Sequence, residues 1–214
     1  MATIQSYVKP NELYRYRSLK KFNQELEAIE QKYLFCAAFT KLNDPMEGMF
    51  SSKQRLRQSD DYDRIHQAII ENKEAMGICS FGEVHNQGPM WAHYADKFKG
   101  ICIAYSVSGL LAAIAQEVTL VRVLYNETAP VVSRSNPESI KMILSYKNYG
   151  WRYEREWRIF APLGKVFYAN SECVTRVYLG SRISDKNRKQ IITRLGMLKI
   201  ATHQMEIQRY SMNF

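Results

Sequence analysis

Apolar and polar positions alternate at the start of the chain. Leu13-Tyr14-Arg15-Tyr16-Arg17 has a period of two, which predicts a strand with Arg15 and Arg17 on one face and Tyr14 and Tyr16 on the other. Phe22, Leu26 and Ile29 recur at helical spacing and predict a short helix over 22–31, and Tyr33 to Cys36 reads as a buried strand. Asn43-Asp44-Pro45 predicts a loop, because proline disfavours helical backbone at Asp44 and both Asn and Asp favour turns. Ser59 is the expected cap of a helix running to about Ala75, with Tyr62, Ile65 and Ile69 as its apolar stripe. Strands are predicted over 78–81, 100–105, 118–125, 152–161, 166–168, 174–179 and 204–210. Helices are predicted from Pro89, over 110–115, from Asn136-Pro137 and from Ser184-Asp185.

These elements interleave irregularly, several connections are short enough for hairpins, and no nucleotide-binding glycine fingerprint follows a strand. The expectation is an α+β fold: one domain over 1–214, with mixed or antiparallel sheets and packed helices around a single cleft. Hydrophobic residues at 46%, charged residues at 24%, ten Gly and six Pro are ordinary globular values and exclude collagen, coiled coil and disorder. The longest nearly uncharged run, 101–116, is shorter than the roughly 20 residues of a membrane span. Met1 to Gln5 carries no basic or apolar leader pattern, so a cytoplasmic protein without membrane contact is expected. Cys36, Cys79, Cys102 and Cys173 form no Cys-x-x-Cys, and the histidines at 66, 85, 93 and 203 form no ligand pattern. Buried free thiols and no metal are predicted.

The formal charge of +9 is unevenly placed, because Lys and Arg outnumber Asp and Glu by 16 to 8 in residues 108–214 but by only 14 to 13 in residues 1–107. Arg182, Lys186, Arg188, Lys189 and Arg194 are therefore candidates for binding nucleic acid or another polyanion. The run carries no interleaved aromatic residue, so it also fits a solvated helix face.

Three segments carry candidate chemistry. In Trp151-Arg152-Tyr153-Glu154-Arg155-Glu156-Trp157-Arg158 a strand would aim Glu154, Glu156 and Arg158 one way, giving either paired carboxylates for acid/base or cation-stabilising work or a structural ladder of Glu156 with Arg158. Arg15 and Arg17, on one strand face, would take a pyrophosphate or carboxylates. Trp91, His93 and Tyr94 each present a flat face and a polar tip, suited to stacking on a base or nicotinamide ring or equally to core packing.

Leu-Tyr-Arg-Tyr-Arg at 13–17, Leu-Asn-Asp-Pro-Met-Glu at 42–47, Cys-Ser-Phe at 79–81, Met-Trp-Ala-His-Tyr-Ala-Asp at 90–96 with Gly-Ile-Cys-Ile at 100–103, the Glu-Arg-Glu segment at 151–158 and Val-Tyr-Leu-Gly at 177–180 resemble the ordered motifs of a bacterial family called domain of unknown function 2971. The likeness spans about 13–185, leaving the basic helix and strand of 184–210 largely beyond it. That family is similar to AbiGi-type proteins of phage abortive infection, which implies a setting in phage defence. The order of Arg15 or Arg17, Tyr94, and Glu154-Arg155-Glu156 also resembles ADP-ribosyltransferases, although the chain has no Ser-Thr-Ser stretch. That resemblance implies NAD as cofactor, with Arg15 or Arg17 on its pyrophosphate or ribose and Trp91, His93 and Tyr94 near the nicotinamide, beside the Asn43-Asp44 loop. It further implies that Glu156 stabilises the oxocarbenium ion and Glu154 activates the acceptor. A non-enzymatic nucleotide-sensing or nucleic-acid-binding module and a metal-dependent nuclease using Asp44, Glu47 and the late glutamates are the alternatives.

Overall fold

The computed structural model describes residues 9–209 and 211–214, so the leader reading of Met1 to Gln5 and the Tyr210 end of the last predicted strand lie outside the described residues. In chain order the larger elements are β1 (Glu12–Arg17), α1 (Phe22–Glu30), β2 (Tyr33–Ala38), α2 (Gln54–Arg57), α3 (Tyr62–Ala75), β3 (Met76–Gly82), α4 (Gly88–Tyr94) and β4 (Ile101–Ser106). There follow α5 (Val107–Ala113), β5 (Thr119–Arg122), α6 (Pro137–Ile143), β6 (Glu156–Pro162), β7 (Gly164–Phe167), β8 (Val174–Leu179), α7 (Asp185–Met197) and β9 (Ala201–Gln204). The architecture is α+β, as the irregular interleaving predicts.

The nine strands form one mixed sheet in the order β7-β2-β3-β1-β4-β8-β9, with β6 on β3 and β5 on β6. Its pairs are antiparallel except β8 with β9. Strand β3 is the hub. One edge pairs with β6 from Gly82 to Met76, while the other is shared between β2, at Ile78 and Gly77, and β1, at Gly82.

Register then assigns every side chain to a face. Tyr14, Gly82 and Glu156 lie in one row across β1, β3 and β6. Because side chains alternate along a strand, Tyr14, Tyr16, Ser80, Glu156 and Arg158 share one face. Arg15, Arg17, Cys79, Phe81 and Trp157 occupy the other. The first face carries two apolar clusters, one with Tyr16 and Trp91 of α4, the other with Ile69 of α3 and Ile140 and Ile143 of α6. The second face packs Leu26 of α1, Leu110 of α5 and Ile191 of α7 onto Phe81, Ile103 and Ile159. All four cysteines are buried free thiols, as their apolar neighbours predict.

Several boundaries differ from the periodicity. Ser59 donates its hydroxyl to the Leu56 carbonyl and caps nothing, and α3 begins three residues later at Tyr62. The strand expected over 118–125 breaks at Val123, after which Leu124–Asn126 pairs in parallel with Tyr146–Asn148. The strand expected from Arg152 starts only at Glu156: Tyr149–Glu154 is a 3-10 turn, closed by Arg155 with φ of +44°. The last strand divides at Met205 into β9 and a hairpin of Glu206–Gln208 with Ser211–Asn213. Gly100 and Gly180 answer to close packing, since a Cβ on Gly180 would stand 2.2 Å from the Phe98 carbonyl oxygen and one on Gly100 2.2 Å from that of Arg17.

Candidate functional site

The two glutamates reach one place from different elements. Glu156 opens β6, whereas Glu154 ends the 3-10 turn, and the left-handed backbone at Arg155 turns the chain so that both carboxylates meet the same ammonium. Lys147 donates to Glu154 Oε2 at 2.6 Å and to Glu156 Oε2 at 3.1 Å, and stands 3.5 Å from Glu47 Oε1. Arg158, wholly buried, bridges Glu156 and Glu47. Its Nε and one terminal nitrogen donate to Glu156 at 2.8 and 2.9 Å, and its two terminal nitrogens donate to Glu47 at 2.9 and 2.7 Å. Three carboxylates and two cations thus make a buried network that carries one net negative charge when all five groups are ionised.

The two carboxylates differ in kind. Burial works to raise the pKa of Glu156, but the Arg158 guanidinium and the Lys147 ammonium outweigh it and hold the group at about 2. Glu154 goes the other way: burial dominates and pushes its pKa up, despite Lys147. Burial works to lower the pKa of Lys147, but Glu156, Glu154 and Glu47 raise it, so it remains an ammonium. The oxygen of Glu154 not used by Lys147 accepts from the Tyr94 hydroxyl at 2.5 Å, and Asn43 donates to that hydroxyl at 3.5 Å. Burial and then Glu154 raise the pKa of Tyr94, which keeps the phenol protonated as a donor.

Beside this network lies a cavity of about 610 Å³ lined by Arg122, Arg152, Arg155, Tyr125, Tyr149 and Tyr153 among others. Tyr153 and Arg155 flank Glu154 in the chain, and the Tyr125 hydroxyl accepts from the Glu156 backbone N–H at 2.7 Å. The cavity wall and the carboxylate network are therefore two sides of one segment. The Arg152 guanidinium lies over the Tyr149 ring at 4.5 Å, and Arg122 contacts Glu83 at 3.3 Å.

Of the residues singled out from sequence, Glu154, Glu156, Tyr94 and Asn43 come together, and exposed His93 joins them through ring contacts with Tyr94 and Tyr153. Others do not. Arg15 and Arg17 lie on the opposite sheet face from Glu156, in the row of Cys79 and Phe81, and are held by Glu25 of α1 at 3.9 and 2.5 Å. The single cleft joining them to the glutamates is corrected by this register. Trp91 is fully buried against Tyr16 and donates its indole N–H to the His85 carbonyl, so it is core and not a stacking platform. Asp44 is buried and accepts from the Met46 N–H of its own loop. A nuclease centre on Asp44, Glu47 and the late glutamates is likewise corrected in its placement: Glu47, Glu154 and Glu156 converge, but on Lys147 and Arg158.

In the basic helix, Arg194 is engaged by Asn23 at 2.8 Å and lies over the Phe22 ring, and Arg188 faces Asp185 at 3.5 Å. Arg182, Lys186 and Lys189 are exposed. The residues that sequence reasoning missed are Lys147 and the arginines of the cavity. A lone lysine in Tyr-Lys-Asn carries no motif, and Arg122 and Arg155 become neighbours only through the fold.

A family model matches part of this chain. It is described as Protein of unknown function (DUF2971), and it covers residues 90–159, the stretch from Met90 to Ile159 that contains Tyr94, Lys147, Glu154, Glu156 and Arg158. No curated protein sequence matches the chain. Among solved structures, Thermus sp. 2.9 DarT in complex with ADP-ribosylated ssDNA is similar with a TM-score of 0.43 and 10% identity, over 92% of this chain and 95% of that chain.

Proposed function

We propose that the cleft binds NAD and transfers its ADP-ribosyl group to a macromolecular acceptor. The observation that carries this reading is the juxtaposition of an arginine- and tyrosine-lined cavity with a buried carboxylate network of net negative charge. A ligand suited to both carries phosphates at one end and a cation at the other, which describes a pyridinium dinucleotide. Arg152 and Arg155 are the phosphate partners, since guanidiniums take phosphate oxygens bidentately, and Tyr125, Tyr149 and Tyr153 offer ring faces. These residues take over the part expected of Arg15 and Arg17.

In the reaction the bond from ribose C1′ to the nicotinamide nitrogen breaks, and its electron pair leaves with nicotinamide. The positive charge developing on the ribose is stabilised by the negative network, in which Glu156 is a fixed anion held by Arg158 and Lys147. Glu154 has the raised pKa of a group that exchanges protons, and it accepts the proton of the attacking acceptor while Tyr94 orients it. A phage-defence setting accords with this chemistry.

The test is transfer of label from NAD tagged on its adenosine into protein and nucleic acid of a bacterial lysate, with wild type, Glu154→Gln and Arg155→Ala. The expected result is transfer by wild type that both variants lose while remaining folded. The absence of both transfer and nicotinamide release with folded wild type refutes it. A second reading, a nucleotide-sensing module without chemistry, is favoured by one observation: both oxygens of Glu156 are already committed to Arg158 and Lys147. It predicts NAD or nucleotide binding that depends on Arg155, with no turnover.

A further inference from the structure

A second basic surface is built from residues that do not line the cleft, and its parts come from distant segments. The turn after α4 runs through Asp96, Lys97 and Phe98, all with positive φ (49°, 54° and 70°), and the Phe98 carbonyl accepts from the Arg182 backbone N–H at 2.9 Å. This hydrogen bond, with that from the Gly180 N–H to the Gly100 carbonyl at 2.9 Å, fixes the turn beside the bend that leads into α7. Exposed Lys97 and Lys99 are thereby set next to exposed Arg182, with Lys186 and Lys189 projecting from the first two turns of the helix. Between that bend and the C-terminal hairpin is a groove of about 570 Å³ whose charged lining is Arg182, Arg188, Asp185 and Glu206.

We infer that this surface binds the phosphodiester backbone of nucleic acid, without reading sequence. Six cations, Lys97, Lys99, Arg182, Lys186, Arg188 and Lys189, stand against three exposed carboxylates, Asp96, Asp185 and Glu206. Only Arg188 has an ion-pair partner among the described residues, and that partner, Asp185, has a side chain 87% exposed at 3.5 Å, a pair worth little in water. Five exposed cations without an ion-pair partner among the described residues form a field that a regularly spaced polyanion neutralises with release of its counterions. Asp185 and Glu206 offset the arginines inside the groove, so the excess positive charge lies on its rim at Lys97, Lys99, Arg182, Lys186 and Lys189, a non-planar set from two segments that a strand of phosphates can follow and a flat lipid surface cannot match. The aromatic residue of the turn, Phe98, is half-buried and packed against the cluster of Trp91 and Tyr178, so the exposed contacts are to phosphate rather than to bases. The helix end contributes nothing further, because Ser184 already caps it by accepting from the Asn187 N–H.

This inference names a partner for the reading above but does not depend on the chemistry in the cleft, because binding is measured without NAD. The experiment is fluorescence anisotropy of the full chain with a labelled mixed-sequence oligonucleotide, single- and double-stranded, across ionic strengths from low salt to about physiological, with co-sedimentation on vesicles of anionic lipid as a parallel arm. The proteins are wild type, Arg182→Glu with Lys186→Glu, Lys97→Glu with Lys99→Glu, and Arg155→Glu in the cleft. The expected result is binding that weakens steeply with salt and is indifferent to base sequence. Both surface double variants should lose at least tenfold in affinity with shallower salt dependence and unchanged melting temperature, while Arg155→Glu retains binding. Three results overturn the inference: no salt-dependent binding by wild type; binding lost with Arg155→Glu but kept in both surface variants; or binding only to vesicles of anionic lipid, which makes this a membrane-facing patch.

Discussion

Replacing Glu156 by Gln separates the two carboxylates that stand side by side at the floor of the site. In the folded protein Glu156 is held at about 2, against 4.5 for an ordinary glutamate, while it accepts from Arg158 and Lys147. A depression of that size corresponds to roughly 3 kcal/mol of preferential stabilisation of the ionised form, and breaking a buried charge pair from one side costs about 3–5 kcal/mol. For a chain of this length about 3 kcal/mol lowers the melting temperature by roughly 6–12 °C at neutral pH. The sign with pH follows from the depressed pKa. The contribution is complete above about 4.5, where the unfolded glutamate is ionised too, and is lost as pH falls through about 2. The gap between wild type and Glu156→Gln should therefore be constant from neutral pH to about pH 5 and close below pH 4.5. Glu154→Gln should differ, because burial raises the pKa of Glu154 and its ionisation in the fold is already unfavourable. Its melting temperature should stay within a few degrees of wild type. Thermal melts of the three proteins across this pH range decide the matter: equal destabilisation by the two substitutions, or a Glu156→Gln gap that does not depend on acid pH, refutes the assignment of Glu156 as fixed anion and Glu154 as exchangeable group.

The other predictions follow from the same placement of residues. Arg155→Gly removes a non-glycine residue from left-handed backbone and should gain about 1 kcal/mol in a denaturant titration, while weakening dinucleotide binding at least tenfold by calorimetry. Arg17→Ala should lower stability through loss of the Glu25 pair yet leave dinucleotide affinity unchanged, since the two sites lie on opposite faces of the sheet. Trp91→Ala should cost about 3–5 kcal/mol in the same titration, the loss expected for truncating a fully buried aromatic residue. The rate of label transfer should fall as pH is lowered through a value above the ordinary glutamate range, because Glu154 must be ionised to take a proton and its pKa is raised; a rate flat down to pH 4 removes Glu154 from that role.

Much of the fold was legible because local rules and the sheet agree. The period of two in Leu13 to Arg17 survives as β1, and the Asn136-Pro137 and Ser184-Asp185 signals both cap helices. The same period of two also held the evidence against a single cleft. It places Arg15 and Arg17 back to back with Tyr14 and Tyr16, and only the cross-strand row of Tyr14, Gly82 and Glu156 says which of those pairs shares a face with the glutamates. Register across three strands is a long-range property with no local signature. The Glu-x-Glu spacing suggested a strand aiming both carboxylates one way, and the carboxylates do converge, but through a left-handed turn at Arg155 that period-two reasoning does not allow for. Lys147 and Glu47, which decide the charge of the site, reach it from segments a hundred residues apart. A buried ion network is assembled by topology, and its members look ordinary in sequence because each is costly only once the others are absent. Within that network Glu156 meets two cations, Arg158 and Lys147, whereas Glu154 meets one cation and the neutral Tyr94 hydroxyl, so topology and not the Glu-x-Glu motif leaves Glu154 the less completely compensated of the two.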